Sequence, residues 1–190
     1  MTGTKPGKIV IISGPSGAGK STIVRELLKT CPLPLALSVS ATTRAPRRGE
    51  EPGREYHFLS HEEFARRRAA NEFLECKEVF GRGDWYGTLR DQVTTGLLQG
   101  KWVILEIDVE GAMAVLDQAP ESVTIFLDPG TIEELERRLR GRGTDSEDAV
   151  QRRLAVARRE LEFITRYRHR VVNDQPERAV REISDILQRY

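Results

Sequence analysis

Residues 8–13 (KIVIIS) form a β-branched apolar run that breaks at Gly14, the pattern of a buried strand. Residues 21–30 then place Ile23, Val24, Leu27 and Leu28 at helical spacing. Strand, glycine loop and helix therefore follow one another. Residues 102–109 and 123–127 read as two more buried strands, and Val171 and Val172 as a short last one, with helical stretches between them. Strands alternating with helices predict an α/β fold with a parallel sheet flanked by helices.

The middle of the chain, from about residue 35 to 87, follows a different pattern. Its strand-like pieces are short, Pro46, Pro52 and several glycines interrupt them, and only residues 61–71 have helical character. This stretch is expected to be an inserted, mixed α+β subdomain. Further on, residues 131–139 look helical, Gly141, Arg142 and Gly143 break the pattern, and residues 146–167 resume it through Val150, Leu154, Ala157 and Leu161. Two helices around an arginine-rich turn suit a lid. The expected division is a core of about 5–37, 88–130 and 168–190, an acceptor-binding subdomain of about 38–87, and a helical lid of about 131–167.

Composition narrows the class. The 190 residues fit one domain, and 31% charged against 38% hydrophobic residues describe a soluble globular chain. Lys and Arg total 30 against 29 for Asp and Glu, so no overall field favours nucleic acid or a membrane surface. The arginines are nonetheless clustered, which leaves local anion sites open. Cys31 and Cys76 are the only cysteines and lack metal-ligand spacing, and the apolar run near the N-terminus is too short for a signal peptide or a membrane span. The expected location is the cytoplasm.

Gly14, Pro15, Ser16, Gly17, Ala18, Gly19, Lys20 and Ser21, followed by Thr22, match G-x-x-x-x-G-K-S/T between a buried strand and a helix. Glycines let backbone N–H groups turn inward around a phosphate, and the helix N-terminus adds its dipole. Lys20 reaches the β- and γ-phosphates, and the Ser21 hydroxyl is the candidate ligand for Mg²⁺. The bland alternative is a glycine-rich turn that merely joins a strand to a helix. Such a loop marks triphosphate binding without naming the acceptor. Asp108 and Gly111 imitate a GTPase D-x-x-G, but the chain has no base-reading N/T-K-x-D.

The segment from Ser38, Val39 and Ser40 through Thr43, Arg44, Pro46, Arg47, Arg48, Gly49 and Glu50 to Tyr56 closely resembles the acceptor segment of guanylate kinases. With the phosphate loop, Glu75, Tyr86, Gly87, Thr88, Glu106, Asp108, Arg142, Asn173 and Asp174, the resemblance runs in family order from about residue 8 to the C-terminus. It implies transfer of the γ-phosphoryl of ATP to GMP, and to dGMP, with Mg²⁺. It also implies a P-loop NTPase-type sheet, nucleotides as the only partners, and a monomer or small homo-oligomer.

By the same resemblance Arg44, Arg47, Tyr56 and Tyr86 would hold the α-phosphate of GMP, with Glu50 steadying the arginines. Glu75 would take the N1–H and N2–H donors of guanine while Ser40 gives to O6, with Thr88 as a second hydroxyl. Glu106 and Asp108 would alternate along one strand and face the acceptor together, Asp108 being favoured for the site; its alternative is a residue capping the next turn. Lys20, Arg44, Arg138, Arg142 and Arg153 would carry the charge of transfer, and Asn173 would lie on the adenine side or hold a turn.

The chain departs from the family pattern in places. Residues 76–85 are about two residues longer than is usual before Tyr86, Ala41 replaces a frequent hydroxyl residue, and Glu110 a frequent glutamine. Three rivals stay on the table. They are a noncatalytic interaction module with the same fold, a kinase for another monophosphate such as AMP or dTMP, and a GTPase switch.

Overall fold

A computed structural model describes residues 7–79, 83–141 and 146–190. In chain order its core begins with β1 (Ile9–Ser13), α1 (Lys20–Thr30) and β2 (Leu35–Leu37). The chain then passes through a second sheet with β3 (Ala41–Thr42), β4 (His57–Phe58), α2 (His61–Ala69), β5 (Phe73–Val79) and β6 (Asp84–Leu89). It returns to the core with α3 (Arg90–Leu98), β7 (Trp102–Glu106), α4 (Val109–Gln118) and β8 (Val123–Asp128). A helical pair, α5 (Ile132–Arg140) and α6 (Glu147–Leu161), precedes β9 (His169–Val172) and α7 (Pro176–Gln188).

The core sheet has the order β2-β7-β1-β8-β9, and each neighbouring pair is parallel. Both of its faces are covered, which explains why its strands are apolar without interruption. Val10 and Ile12 of β1 pack with α1 and α7 through Ile23, Leu27 and Ile183, whereas Ile11 faces Ala112 and Val115 of α4. The three-layer sandwich leaves the C-terminal ends of β1 and β7 open, where ligands bind in such sheets.

The second sheet has the order β4-β3-β6-β5, with β3 and β4 parallel and the other pairs antiparallel. Phe64 of α2 stacks on Phe73 at 4.3 Å between ring centroids and closes a small core of its own with Ala41 and Leu89. In α5 and α6, Leu135, Leu139, Val150 and Leu154 form a further cluster. Each of these outlying helices starts on a hydroxyl: Ser60, Thr131 and Ser146 accept a backbone N–H three residues on.

Four boundaries differ from expectation. The strand expected over 102–109 stops at Glu106, because Asp108 caps α4 by accepting the N–H of Gly111 at 2.9 Å. Helix α2 ends at Ala69, and Asn71 takes a left-handed φ of 57° that closes it off. The helix expected to reach residue 167 ends at Leu161, followed by a 3₁₀ turn at Ile164–Arg166. The last strand begins two residues earlier than Val171, at His169.

Candidate active site

The loop between β1 and α1 folds back on itself, Ala18 donating its N–H to the carbonyl of Pro15 at 3.0 Å. Gly14, Gly17 and Gly19 all have positive φ. At Gly19 space adds to the reason: a Cβ there would lie 2.5 Å from the side-chain nitrogen of Asn173. That nitrogen donates to the Ala18 carbonyl at 2.7 Å, and the backbone carbonyl of Asn173 accepts from Arg138 at 2.6 Å. Asn173 is therefore buried and tied to the phosphate loop through the Ala18 carbonyl. Lys20 folds its ammonium onto the carbonyls of Gly14 and Pro15. Thr22 bonds through its backbone N–H to Gly19 at 3.1 Å.

Across the cleft, Arg44 is the hub of the second sheet. Its guanidinium donates to both oxygens of Glu50 at 2.9 and 3.0 Å and to the Tyr86 hydroxyl at 3.0 Å. Its carbon lies 5.4 Å from the centroid of the Tyr56 ring, and the Tyr56 and Tyr86 rings meet edge to face at 5.6 Å. Glu50 also accepts the backbone N–H of Arg47 at 2.7 Å. These bonds, that from Arg44 first and that from Arg47 second, hold the Glu50 carboxyl below its ordinary value. The arginine cradle is thus preorganised by an acid, with the exposed Arg47 side chain at its rim.

Despite the added length before it, Tyr86 reaches Arg44 with its hydroxyl. β5 and β6 pair from Val79↔Asp84 through Lys77↔Tyr86 to Glu75↔Thr88, which sets Tyr86 directly opposite Lys77 in a continuous ladder. The Thr88 hydroxyl donates to Glu75 at 2.7 Å, and the second oxygen of Glu75 lies against Gly111 of α4. Burial pushes the Glu75 carboxyl up to about 7.

Both halves open into one cavity of about 390 Å³, lined by Ser16, Lys20, Arg153 and Asp108 from the core and by Ser40, Arg44, Arg47, Glu50, Tyr56, Glu75 and Tyr86 from the second sheet. A smaller cavity of about 310 Å³ adjoins it on the phosphate-loop side and includes Gly14, Lys20, Arg153 and Glu160. Arg138 is engaged by Glu134 and Asn173 beside the loop, and Arg142 lies outside the described residues.

The acids Glu106 and Asp108 reach the cavity by a route the strand pattern did not foresee. Glu106, the last residue of β7, accepts the Ser21 hydroxyl. Asp108, past the strand end, pairs with Lys77 of β5. Capping and cavity lining are therefore combined in one side chain. Lys77 and Glu160 were not expected in the site. For Lys77 the signal was present, since it stands two residues after Glu75 on a strand and so shares its face. Glu160 stands two turns after Arg153 on α6 and therefore on the same helical face.

A phosphate loop facing an arginine and tyrosine cradle across a shared cleft defines a P-loop nucleotide kinase fold. The family model for guanylate kinase matches residues 6–190. A guanylate kinase of Rhodopirellula baltica is 62% identical over 183 residues, covering 96% of this chain and 88% of the relative. One from Rubrobacter xylanophilus is 50% identical over 183 residues, with 96% and 94% covered. The crystal structure of guanylate kinase from Anaplasma phagocytophilum, 34% identical, superposes with a TM-score of 0.77 over 96% of this chain and 85% of its own. The chain belongs to the guanylate kinase family.

Proposed function

We propose that the protein transfers the γ-phosphoryl group of ATP to GMP, giving ADP and GDP, and accepts dGMP as well. The observation that carries this reading is the single cleft that places Lys20 and Arg153 opposite Arg44, Tyr56, Tyr86 and Glu75. The attacking oxygen is already a phosphate anion, so the reaction needs charge neutralisation and alignment more than a base. Arg44, fixed by Glu50, and Arg47 bind the acceptor phosphate. The Tyr86 oxygen accepts from Arg44, which leaves its own hydrogen for that phosphate. Glu75 and Ser40 read the guanine edge, so the pair should be indifferent to the sugar 2′ position. Lys20 leaves the loop carbonyls for the β- and γ-phosphates, and the arginines of α5 and α6 close the cleft and keep water out.

Mg²⁺ is the ion we assign with ATP. The Ser21 hydroxyl and the Glu106 carboxylate beside it are the oxygens suited to it, and among the described residues no cluster of three or more acidic, His or Cys side chains could hold a metal alone. The ion is therefore expected to be shared with the phosphates, whose charge it neutralises when bound. No helix among the described residues is long and apolar enough to cross a membrane. We place the protein in the cytoplasm, with nucleotides rather than nucleic acid as partners, as a monomer or small homo-oligomer. Terminally labelled ATP incubated with GMP tests the reading: label in GDP supports it, and label appearing only as inorganic phosphate contradicts it.

Two further outcomes follow from Glu75. GMP requires its carboxylate ionised, so the KM for GMP should fall as pH rises from about 5 to 8, and Glu75→Gln should flatten that dependence; the phosphate of GMP, titrating near 6, is common to both proteins. In the nucleotide-free protein the sign is opposite. A carboxyl raised from 4.5 to about 7 contributes stability that is complete below 4.5 and lost as pH rises through about 7. The melting temperature relative to Glu75→Gln should decline over that interval.

Gly111→Ala should separate stability from recognition. A Cβ there would sit 3.0 Å from the Glu75 oxygen and 3.3 Å from its carboxyl carbon, shifting the group that reads guanine. The helix itself gains roughly 0.5–1 kcal/mol from the exchange. The expected result is an unchanged or higher melting temperature with a KM for GMP raised about tenfold; an unchanged KM would remove Gly111 from the account.

A further inference from the structure

Two cavities meet where the phosphoryl group must cross. Among the described residues, three cations line both of them: Lys20 from the phosphate loop, Arg153 from α6 and Lys77 from β5. The first two belong to the site already described, and Lys77 is the one contributed by the acceptor sheet. It is the cross-strand partner of Tyr86, whose hydroxyl binds Arg44, and shares a strand face with Glu75. Lys77 thus stands beside the acceptor phosphate cradle and lines the same two cavities as Lys20.

Its present partners are both at the start of α4: Asp108, and Glu110 at 3.0 Å. A strap between β5 and α4 would explain the pairing; of its two ion pairs the one to Glu110, 79% exposed, contributes little, and the one to Asp108, 32% exposed, is the stronger. The strap also does not explain why Lys77 lines both cavities. Burial works against the charge of Lys77, and Asp108 and Glu110 outweigh it, holding the group above the ordinary lysine range. The cation is thereby kept protonated at the junction until stronger anions arrive.

Resting on the kinase reading above, we propose that Lys77 is a further catalytic residue, the cation that follows the phosphoryl group from ATP to GMP. In that step the bond from the γ-phosphorus to the β,γ-bridging oxygen breaks and its electron pair stays on the oxygen, which becomes part of ADP. A bond forms from an α-phosphate oxygen of GMP to the same phosphorus. No proton or electron is exchanged with a further reagent, and total charge is conserved. Negative charge on the transferred oxygens is spread between two anions at this moment, so an ammonium beside them favours the transition state over either bound ground state.

Single-turnover rates of transfer in Lys77→Met and Lys77→Arg, with the KM for each nucleotide and the melting temperature, test this. Lys77→Met should slow the transfer step roughly 10- to 100-fold, with both KM values within about threefold of wild type, and Lys77→Arg should recover most of the rate. Lys77→Gln, measured in parallel, guards against a packing effect of the methionine. An unchanged transfer rate with only a raised KM or a lowered melting temperature would reduce Lys77 to a strap and overturn the proposal, as would a loss that arginine does not restore. Wild-type protein that makes no GDP would instead overturn the kinase reading, so the two failures are distinct.

Discussion

Lys20→Ala is expected to lower kcat/KM roughly 10³-fold or more, equivalent to about 4 kcal/mol of transition-state stabilisation. The residue opens α1, directly after Gly19, and its ammonium reaches back over the loop to the carbonyls of Gly14 and Pro15. Those bonds hold a cation against the backbone that would cradle the β-phosphate, and no other described lysine stands in that loop. Removing it leaves Arg153 on the α6 side and Lys77 on the acceptor side, neither of which rises from the loop floor. Fold and GMP affinity should survive, because the side chain makes no contribution to the buried clusters of the sheet. Steady-state ADP formation with a melting curve on the same preparation measures both. Retention of more than about a tenth of wild-type kcat/KM would contradict the role given to Lys20.

Glu75→Ala should have the second large effect, on choice of base. A carboxylate that accepts two guanine donors contributes roughly 1.5–3 kcal/mol per bond, which amounts to about 10²–10⁴ in GMP against AMP. Adenine presents an acceptor where guanine presents N1–H, so the intact carboxylate would also reject AMP by leaving its own oxygen unpaired. The alanine variant removes attraction and rejection together. GMP turnover falls, AMP turnover rises from a low base, and kcat with saturating nucleotide changes less than the ratio. Competition between GMP and AMP in one reaction reads this directly. Strict preference for GMP in the variant would transfer base recognition to another group, such as Ser40 or Thr88.

The phosphate loop was legible because its chemistry is carried by local spacing: glycines for positive φ, a lysine and a hydroxyl residue opening the helix. The cradle was legible for a similar reason, since Arg44, Arg47 and Glu50 lie within seven consecutive positions and Glu50 bonds to both arginines. What spacing does not reveal is where an apolar run stops being a strand. Trp102 to Glu106 and then Ile107 and Val109 are nearly all buried, so β7 and the start of α4 look alike in hydropathy, and only the cap made by Asp108 divides them. Asn173 is separated from Ala18 by 155 positions and meets it only through sheet topology. Lys77 carries its signal in the two-residue period of β5, in a part of the sequence otherwise broken into short strand-like pieces. Arg142, expected in the lid, lies where the structure describes nothing.

The central claim is that one cleft moves a phosphoryl group and reads guanine while doing so. It is tested most directly by ADP formation from ATP and Mg²⁺ with GMP, dGMP, AMP, CMP, UMP and dTMP offered separately, the Lys20→Ala protein serving as blank. The account predicts turnover with GMP and dGMP alone. Turnover with another monophosphate would contradict the roles of Glu75 and Ser40. Folded protein that binds GMP and turns over none of the acceptors would contradict the claim of catalysis itself.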